Sequence, residues 1–164
     1  MNTKFTFSKM TEPDALDILE WRYEAPYDFY DPQGAELCKD LQTLVEPTNL
    51  YLAVRGREGD LIGYYCFGEE AQVSGGDYSE NALDIAGSSR PDLLGTGLGM
   101  MFIRVATDFG EMFFHPDRFR ATIAAFNTRA LHMCEKAGFV WTQQFTRDDG
   151  TAFVVLVKEA EKSL

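Results

Sequence analysis

The spacing of hydrophobic and polar positions predicts an alternation of strands and helices along the chain. Residues 4–8 alternate polar and apolar side chains, a pattern that is typical of a half-buried strand. Thr11 has a side chain suited to capping a helix, Pro13 suits the first helical turn, and Asp14 completes an approximate capping box. A short helix is therefore expected to begin after Thr11 and to run towards Trp21.

The same periodicities assign the rest of the chain. Pro26 and Pro32 should break the aromatic residues 23–30 into irregular or short helical pieces. Further helices are predicted over residues 35–45, 97–109 and 128–137. Strands are predicted over residues 50–54, 61–67, 82–86, 119–125, 139–145 and 152–157, with the first two and the last two forming hairpins. This order predicts a mixed α/β or α+β layer fold rather than a strict parallel alternation, and the chain length predicts one domain, residues 1–164.

Composition places the chain among ordinary globular proteins. It has 164 residues, of which 45% are hydrophobic and 25% are charged, enough for a core without disulfide or metal staples. The formal net charge of −11 argues against a nucleic-acid partner and against an anionic membrane surface. A cationic substrate and simple solubility both explain such a charge.

The three cysteines bear on the compartment and on metals. Cys38, Cys66 and Cys134 are far apart and no CxxC occurs, which argues against a disulfide framework or a zinc site. His115 and His132 have no ligand partner at metal spacing. No apolar run is long enough for a signal peptide or for a membrane span of roughly 18 residues. The sequence therefore predicts a cytoplasmic protein without a metal.

A glycine-rich turn is the first candidate for chemistry. Gly95, Gly97 and Gly99 alternate with Thr96 and Leu98 between a predicted strand and a predicted helix. Glycines let a backbone approach an anion closely, and the helix N-terminus adds about half a positive charge. Such a turn is suited to a pyrophosphate group.

Known phosphate-binding motifs fit this turn poorly. A P-loop requires Lys followed by Ser or Thr after its second glycine, and Leu98 and Gly99 stand there instead. A Rossmann fingerprint requires GxGxxG in an opening βαβ unit, whereas this GxGxG begins after residue 90. A turn without a ligand remains an alternative on this evidence alone.

A second motif follows the turn at a fixed distance. Asn127-Thr128-Arg129-Ala130 opens the helix predicted there, and Gly138-Phe139 closes it. Together the two motifs resemble the GNAT (general N-acetyltransferase) family, whose phosphate motif is [Gln/Arg]-x-x-Gly-x-[Gly/Ala] and whose second motif is Asn-x-x-Ala-x-x-x-Tyr-x-x-x-Gly-Phe. The stretch 90–93 also resembles the run-in of a RimI-like bacterial subgroup. The resemblance implies a central mixed, mostly antiparallel sheet flanked by helices.

The resemblance also implies a cofactor site for acetyl-CoA, without a metal. The strand around Asp84 should pair with the pantetheine amides, the glycine-rich turn should hold the pyrophosphate, and the start of the helix after Asn127 should lie near the cofactor. The implied cofactor-binding residues are Ile85, Ala86, Leu94, Gly95, Thr96, Gly97, Leu98, Gly99, Asn127 and Arg129. Arg129 has the alternative of an exposed helix charge.

Two departures from the family pattern affect the expected chemistry. Leu94 replaces the usual Gln or Arg, a small loss because backbone amides do most of the phosphate binding. Cys134 stands where the family usually has a tyrosine thought to protonate the departing thiolate. As predicted catalytic residues, Cys134 either donates that proton or packs against the cofactor, and Asp84 is either a general base or a polar strand residue.

The acceptor side is less defined. Glu24, Glu69 and Glu70 either line an amine pocket or are solvated charges, and the aromatic residues between 23 and 30 either cover the acceptor or pack in the core. The resemblance implies transfer of an acetyl group to a primary amine: a small molecule, a peptide N-terminus or a lysine. A CoA-binding sensor or partner domain without catalysis is the alternative, and an empty turn is a third. A monomer or a homodimer is expected.

Overall fold

Seven strands and four α-helices make up the regular structure of residues 5–32 and 37–162, which this computed structural model describes. The strands are β1 (Thr6–Lys9), β2 (Tyr51–Arg55), β3 (Leu61–Phe67), β4 (Leu83–Ser89), β5 (Arg118–Ala124), β6 (Val140–Thr146) and β7 (Ala152–Glu159). The helices are α1 (Glu12–Glu20), α2 (Leu37–Val45), α3 (Gly99–Phe114) and α4 (Thr128–Lys136). Short 3₁₀ turns lie at Tyr27–Tyr30, Pro47–Asn49, Glu69–Ala71 and Pro91–Leu93.

The order of elements predicted from the sequence is confirmed, and the differences concern element ends. β4 continues three residues past the predicted end, to Ser89. α3 begins at Gly99 and continues to Phe114, five residues past the predicted end, and His115 then takes a left-handed conformation with φ 48°. The pattern missed this last stretch because its apolar side chains Met112 and Phe113 are exposed. The predicted helix start at residues 35 and 36 lies outside the described residues.

The strand order is β1-β2-β3-β4-β5-β7-β6. The β4–β5 pair is parallel, whereas the pairs β1–β2, β2–β3, β5–β7 and β6–β7 are antiparallel. The predicted α+β class, with a mixed and mostly antiparallel sheet and flanking helices, is therefore confirmed.

The chain divides into two compact units. The first contains the described residues up to Cys66 together with Gly87–Thr96, and the second contains Phe67–Ala86 and the described residues from Gly97 on. The assignment of residues 1–164 to one domain stays a prediction. No described helix is long and apolar enough to cross a membrane.

The first unit has a small core under α1 and α2. Its buried residues are Met10, Ala15, Ile18, Leu19 and Leu44. The predicted capping box starts α1: the Thr11 hydroxyl accepts from the Asp14 N–H at 3.3 Å, and the Asp14 carboxylate accepts from the Thr11 N–H at 3.1 Å. This reciprocal pair fixes where α1 begins.

The core of the second unit lies on the central strands β5 and β7. Phe119 of β5 and Val154, Val155 and Leu156 of β7 are fully buried there, and so is Phe67 at the end of β3. α3 buries Phe102, Val105 and Ala106. Gly110 of α3 lies so close to Phe119 that a Cβ at this glycine would approach the ring to 2.6 Å. The helix that follows the glycine-rich turn is therefore held firmly within its unit.

Candidate functional site

The glycine-rich turn has the backbone conformation that its glycines predict. Gly95 and Gly97 have φ values of +76° and +83°, in the region that L residues rarely adopt. A Cβ at either position would meet no heavy atom within 4 Å, so open space adjoins the backbone there. The Thr96 hydroxyl and N–H donate to Leu93 O at 2.6 and 3.3 Å, which holds the turn in place.

The start of α3 supplies further N–H groups. The Phe102 N–H donates to Leu98 O at 2.9 Å and so closes the first helical hydrogen bond. The N–H groups of Gly99, Met100 and Met101 precede that bond and have no carbonyl one turn earlier in the helix. This end of α3 therefore favours an anion through both its N–H groups and its dipole.

Gly99 brings α3 and α4 together. A Cβ at Gly99 would overlap the side chain of Met133 on α4. Gly99, the last residue of the first motif, is thus adjacent to Met133 of the second motif within the second unit, although more than 30 residues of chain separate them.

The predicted start of α4 is confirmed, and the helix ends at Lys136, one residue before the predicted end. The Asn127 side-chain oxygen accepts from the Ala130 N–H at 3.2 Å and caps the helix. Gly138 follows the last turn with φ +98°. Arg129 is exposed on the first turn, and His132 is exposed on the same helix.

Cys134 faces the interior of the second unit. Its side chain is 7% exposed, and the Phe139 N–H donates to its backbone carbonyl at 3.0 Å. Burial, with a smaller contribution from Glu135, raises the pKa of this thiol to about 12. A buried thiol with so high a pKa is a weak acid and has little thiolate character at neutral pH.

Asp84 forms an ion pair with Arg120, a residue that no sequence motif indicates. Nε and Nη2 of Arg120 donate to Oδ1 and Oδ2 of Asp84 at 2.6 and 2.7 Å. Gln72 Nε2 donates to the same Oδ2 at 2.9 Å. Arg120 lies between the buried residues Phe119 and Ala121 of β5, and a buried arginine is almost always paired, but the alternating residues of this strand do not show from the sequence alone that its side chain is buried.

The two strands that carry this ion pair are in register for a short distance. Within the described residues, the parallel register of β4 and β5 comprises Leu83 with Phe119 and Asp84 with Arg120. β4 continues through Ile85, which is buried, and Ala86, which is half-buried. β5 meanwhile stays paired with β7 along its whole length. The two strands therefore diverge after Asp84 and form a fork, at the place where the family resemblance implies a pantetheine arm.

The aromatic residues of the N-terminal part lie in the first unit. The Tyr23 hydroxyl hydrogen-bonds Ser88 Oγ at 2.7 Å and donates to Ser89 O at 2.9 Å, and burial raises the pKa of Tyr23.

Trp21 is half-buried and lies in a cleft of about 410 Å³. This cleft is lined by Asp17, Glu20, Trp21, Leu61 and Arg90.

Three acidic candidates for the acceptor side, Glu24, Glu69 and Glu70, are exposed. Among the described residues, no group of three or more His, Cys, Asp or Glu side chains is placed to hold a metal ion.

Comparisons with known proteins support the fold and no closer relationship. No protein-family model matches the sequence, and no curated protein sequence matches it. Solved structures match over nearly the whole chain. A chimera of the spermidine N-acetyltransferase SpeG from Vibrio cholerae and hSSAT has a TM-score of 0.74 at 18% identity, covering 96% of each chain.

Two further structures give the same picture. AAC(6')-Ib, in complex with ribostamycin and coenzyme A, has a TM-score of 0.75 at 22% identity, covering 95% of this chain and 93% of that one. A GNAT-family acetyltransferase from Bacillus anthracis has a TM-score of 0.75 at 17% identity, covering 97% and 96%. The fold is therefore that of the GNAT acetyltransferases, as the sequence motifs predict.

Proposed function

We propose that this chain is an acetyl-CoA-dependent N-acetyltransferase that acts on a primary amine. The proposal rests above all on one observation: the open, positive-φ turn at Gly95 and Gly97 leads into the N-terminus of α3, where Gly99 packs against α4. A glycine turn of this shape suits a pyrophosphate. AAC(6')-Ib, which has the same fold, has been solved with coenzyme A and with acetyl-CoA.

The glycine-rich turn and β4 bind different parts of acetyl-CoA. Backbone N–H groups of Gly95, Gly97 and the first residues of α3 bind the pyrophosphate, while the edge of β4 beyond Asp84 hydrogen-bonds the pantetheine arm as an added strand would. Leu94 and Leu98, which are half-buried, support the turn from the protein side. Arg129, exposed at the start of α4, supplies a positive charge for a phosphate.

A bound acetyl-CoA would supply a thioester carbonyl for a neutral amine to attack. The C–N bond would form as the C–S bond breaks, CoA would leave as a thiolate, and the proton released by the amine would pass to water or to that thiolate. The protein orients the two reactants and keeps water away from them. Cys134 contributes by packing, because its side chain is 7% exposed and its pKa is raised to about 12. A thiol with so raised a pKa is a poor proton donor to a departing thiolate, whose ordinary pKa is about 8.5.

The acceptor is a primary amine on a small molecule or a peptide. SpeG is named as a spermidine N-acetyltransferase, and AAC(6')-Ib is named as an aminoglycoside acetyltransferase that has been solved with ribostamycin. A cationic amine also suits a chain with a net charge of −11. A cytoplasmic location, a monomeric or homodimeric state and a place in the RimI-like subgroup belong to the same proposal.

A CoA-binding sensor is the second candidate function. Cys134 favours it, because a buried thiol replaces the tyrosine that the family uses as an acid. Such a sensor would bind acetyl-CoA and release no thiol with any amine. Turnover therefore distinguishes the two functions.

Calorimetry with acetyl-CoA and CoA tests the shared part of both functions. We expect both ligands to bind, and acetylpantetheine, which lacks the pyrophosphate, to bind at least tenfold more weakly. A thiol-release assay with spermidine, an aminoglycoside, a lysine peptide and a free peptide N-terminus then tests the enzyme. Binding without release from any amine would support the sensor, and absence of binding would refute both functions.

A further inference from the structure

The Asp84–Arg120 ion pair constrains the distance and the angle between β4 and β5. The two residues stand opposite each other in the parallel register, and they are 3% and 4% exposed. The contact is bidentate, with one hydrogen bond from the planar guanidinium to each oxygen of the planar carboxylate. A pair of this kind fixes both the distance and the angle between its strands, which a lysine in place of the arginine does not do.

Neighbouring groups contact the remaining polar atoms of Arg120 and Asp84. Arg120 Nη1 donates to Glu80 O at 2.9 Å, and the guanidinium carbon lies 4.8 Å from the centre of the Tyr78 ring. Gln72 completes the carboxylate side. Within the described residues, no buried side-chain nitrogen or oxygen atom lacks a hydrogen-bond partner. A charge pair this deeply buried is tolerated because its hydrogen bonds are complete.

The same network ties the loop between β3 and β4 to the two strands. The Tyr78 hydroxyl hydrogen-bonds Thr122 of β5 at 2.9 Å and accepts from the Val73 N–H at 2.9 Å. The Gly68 N–H donates to Asp84 O at 2.8 Å. Hydrogen bonds therefore connect the loop between β3 and β4 to both β4 and β5 around the ion pair.

The ion pair stands where the two strands part. Asp84 and Arg120 are the last pair in the β4–β5 register, and both strands continue beyond it. A fork narrower or wider by a fraction of an ångström would misplace the backbone groups of β4 relative to an extended ligand, because hydrogen bonds weaken steeply away from their optimal geometry.

We propose that Asp84 and Arg120 are positioning residues that hold the β4–β5 fork at the width needed to bind the pantetheine arm of acetyl-CoA. This inference rests on the proposed function. It assigns Asp84 a role other than the general base, since both of its carboxylate oxygens are already bound by Arg120 and Gln72.

Arg120→Lys tests the proposal, with Arg118→Lys as the matched control. Arg118 lies two residues away on β5, is 42% exposed, and pairs with the exposed carboxylates Glu80 and Glu159. For Arg120→Lys we expect the Kd and KM for acetyl-CoA to rise at least tenfold, with kcat within threefold of the wild type. Adenosine 3′,5′-bisphosphate has no pantetheine arm, so its affinity should stay within twofold. Arg118→Lys should change none of these values.

The possible outcomes distinguish the positioning role of Asp84 and Arg120 from the proposed acetyltransferase function. If the wild type binds acetyl-CoA and Arg120→Lys binds it equally well, the positioning role is refuted and the proposed function stands. Equal weakening for acetyl-CoA and for the bisphosphate would also refute it, because it would indicate a general loss of structure. Failure of the wild type to bind either ligand refutes both proposals.

Gln72→Met and Asp84→Asn provide two further tests of the positioning role. If Arg120→Lys does not fold, as judged by its thermal unfolding, Gln72→Met removes the third hydrogen bond to Asp84 and leaves the ion pair intact. It should raise the Kd for acetyl-CoA about threefold without affecting the bisphosphate, and an unchanged Kd would refute the proposal. For Asp84→Asn, a loss in kcat above a hundredfold at saturating acetyl-CoA would identify a general base and overturn the positioning role.

Discussion

Gly97 and Gly59 have the same backbone φ of +83°, and a Cβ at either position would meet no heavy atom within 4 Å. Gly97 lies in the turn proposed to bind pyrophosphate, whereas Gly59 lies in the β2–β3 hairpin turn, where its N–H donates to Gly56 O at 3.1 Å. The two positions therefore share open space and a left-handed backbone that would strain any L residue, and they differ in the function proposed for them.

Valine at these two glycines should separate ligand binding from stability. We expect Gly97→Val and Gly59→Val each to lower the free energy of unfolding by about 1–2 kcal/mol, from the left-handed conformation alone. Only Gly97→Val should weaken acetyl-CoA binding, by tenfold or more in calorimetry, because its side chain fills the space beside the turn. Equal affinities in the two variants would contradict the assignment of the turn.

Replacing Cys134 should test whether its thiol takes part in the reaction. We expect Cys134→Ala to lose about 1 kcal/mol of stability through the small cavity it leaves, with turnover within threefold of the wild type and the same pH profile. Cys66→Ala is the control, since Cys66 is also buried, at 2% exposed. A tenfold loss of turnover in Cys134→Ala, with none in Cys66→Ala, would show instead that the thiol is the proton donor.

The sequence predicts the caps and turns of this chain well, but it predicts poorly the contacts between residues that are far apart in the sequence. The capping box at Thr11, the cap at Asn127 and the turn at Gly138 each depend on residues within four positions, so the pattern alone indicates them. The Asp84–Arg120 pair joins positions 36 apart, and Tyr23 reaches Ser88 across 65. Such contacts depend on strand order and register, which no local pattern specifies.

The same distinction applies to the candidate site. The glycine turn and the start of α4 could be located from motif spacing. The environment of Asp84 and Cys134 could not, because burial and ion pairing depend on which elements pack against them. The sequence leaves Asp84 as either a general base or a polar strand residue, and its hydrogen bonds from Arg120 and Gln72 are visible only in the folded chain.

Asp14 should make stability depend on pH in the acid range. Burial raises its pKa, but hydrogen bonds from Thr11 and Arg55 outweigh burial, so the net pKa lies below the ordinary value of 3.8. Arg55 Nη2 lies 2.7 Å from its carboxylate. A carboxyl group whose pKa is lowered by folding contributes stability above its unfolded pKa, and that contribution is lost as the pH falls through the folded value.

Asp14→Asn measures that contribution. At pH 7 we expect the variant to be less stable by roughly 1–3 kcal/mol, since it loses charged hydrogen bonds to Arg55 and Thr11. The difference should shrink as the pH falls below about 3.8, when the wild-type carboxyl group also becomes protonated. Urea unfolding between pH 7 and pH 3 measures both curves. Asp17→Asn, exposed on the same helix, should show almost no difference, and a deficit for Asp14→Asn that is independent of pH would contradict the linkage.

The cap at Asn127 should matter for ligand binding as well as for stability. Asn127→Ala removes the hydrogen bond to the Ala130 N–H and should cost about 1 kcal/mol, whereas Asn127→Ser should retain most of the cap. Because the start of α4 belongs to the proposed cofactor site, Asn127→Ala should also raise the Kd for acetyl-CoA at least threefold. Thr11→Ala removes the corresponding cap of α1 and should cost similar stability without changing that Kd. If Asn127→Ala and Thr11→Ala bind acetyl-CoA equally well, the cap serves only the fold, and the start of α4 does not contact the cofactor.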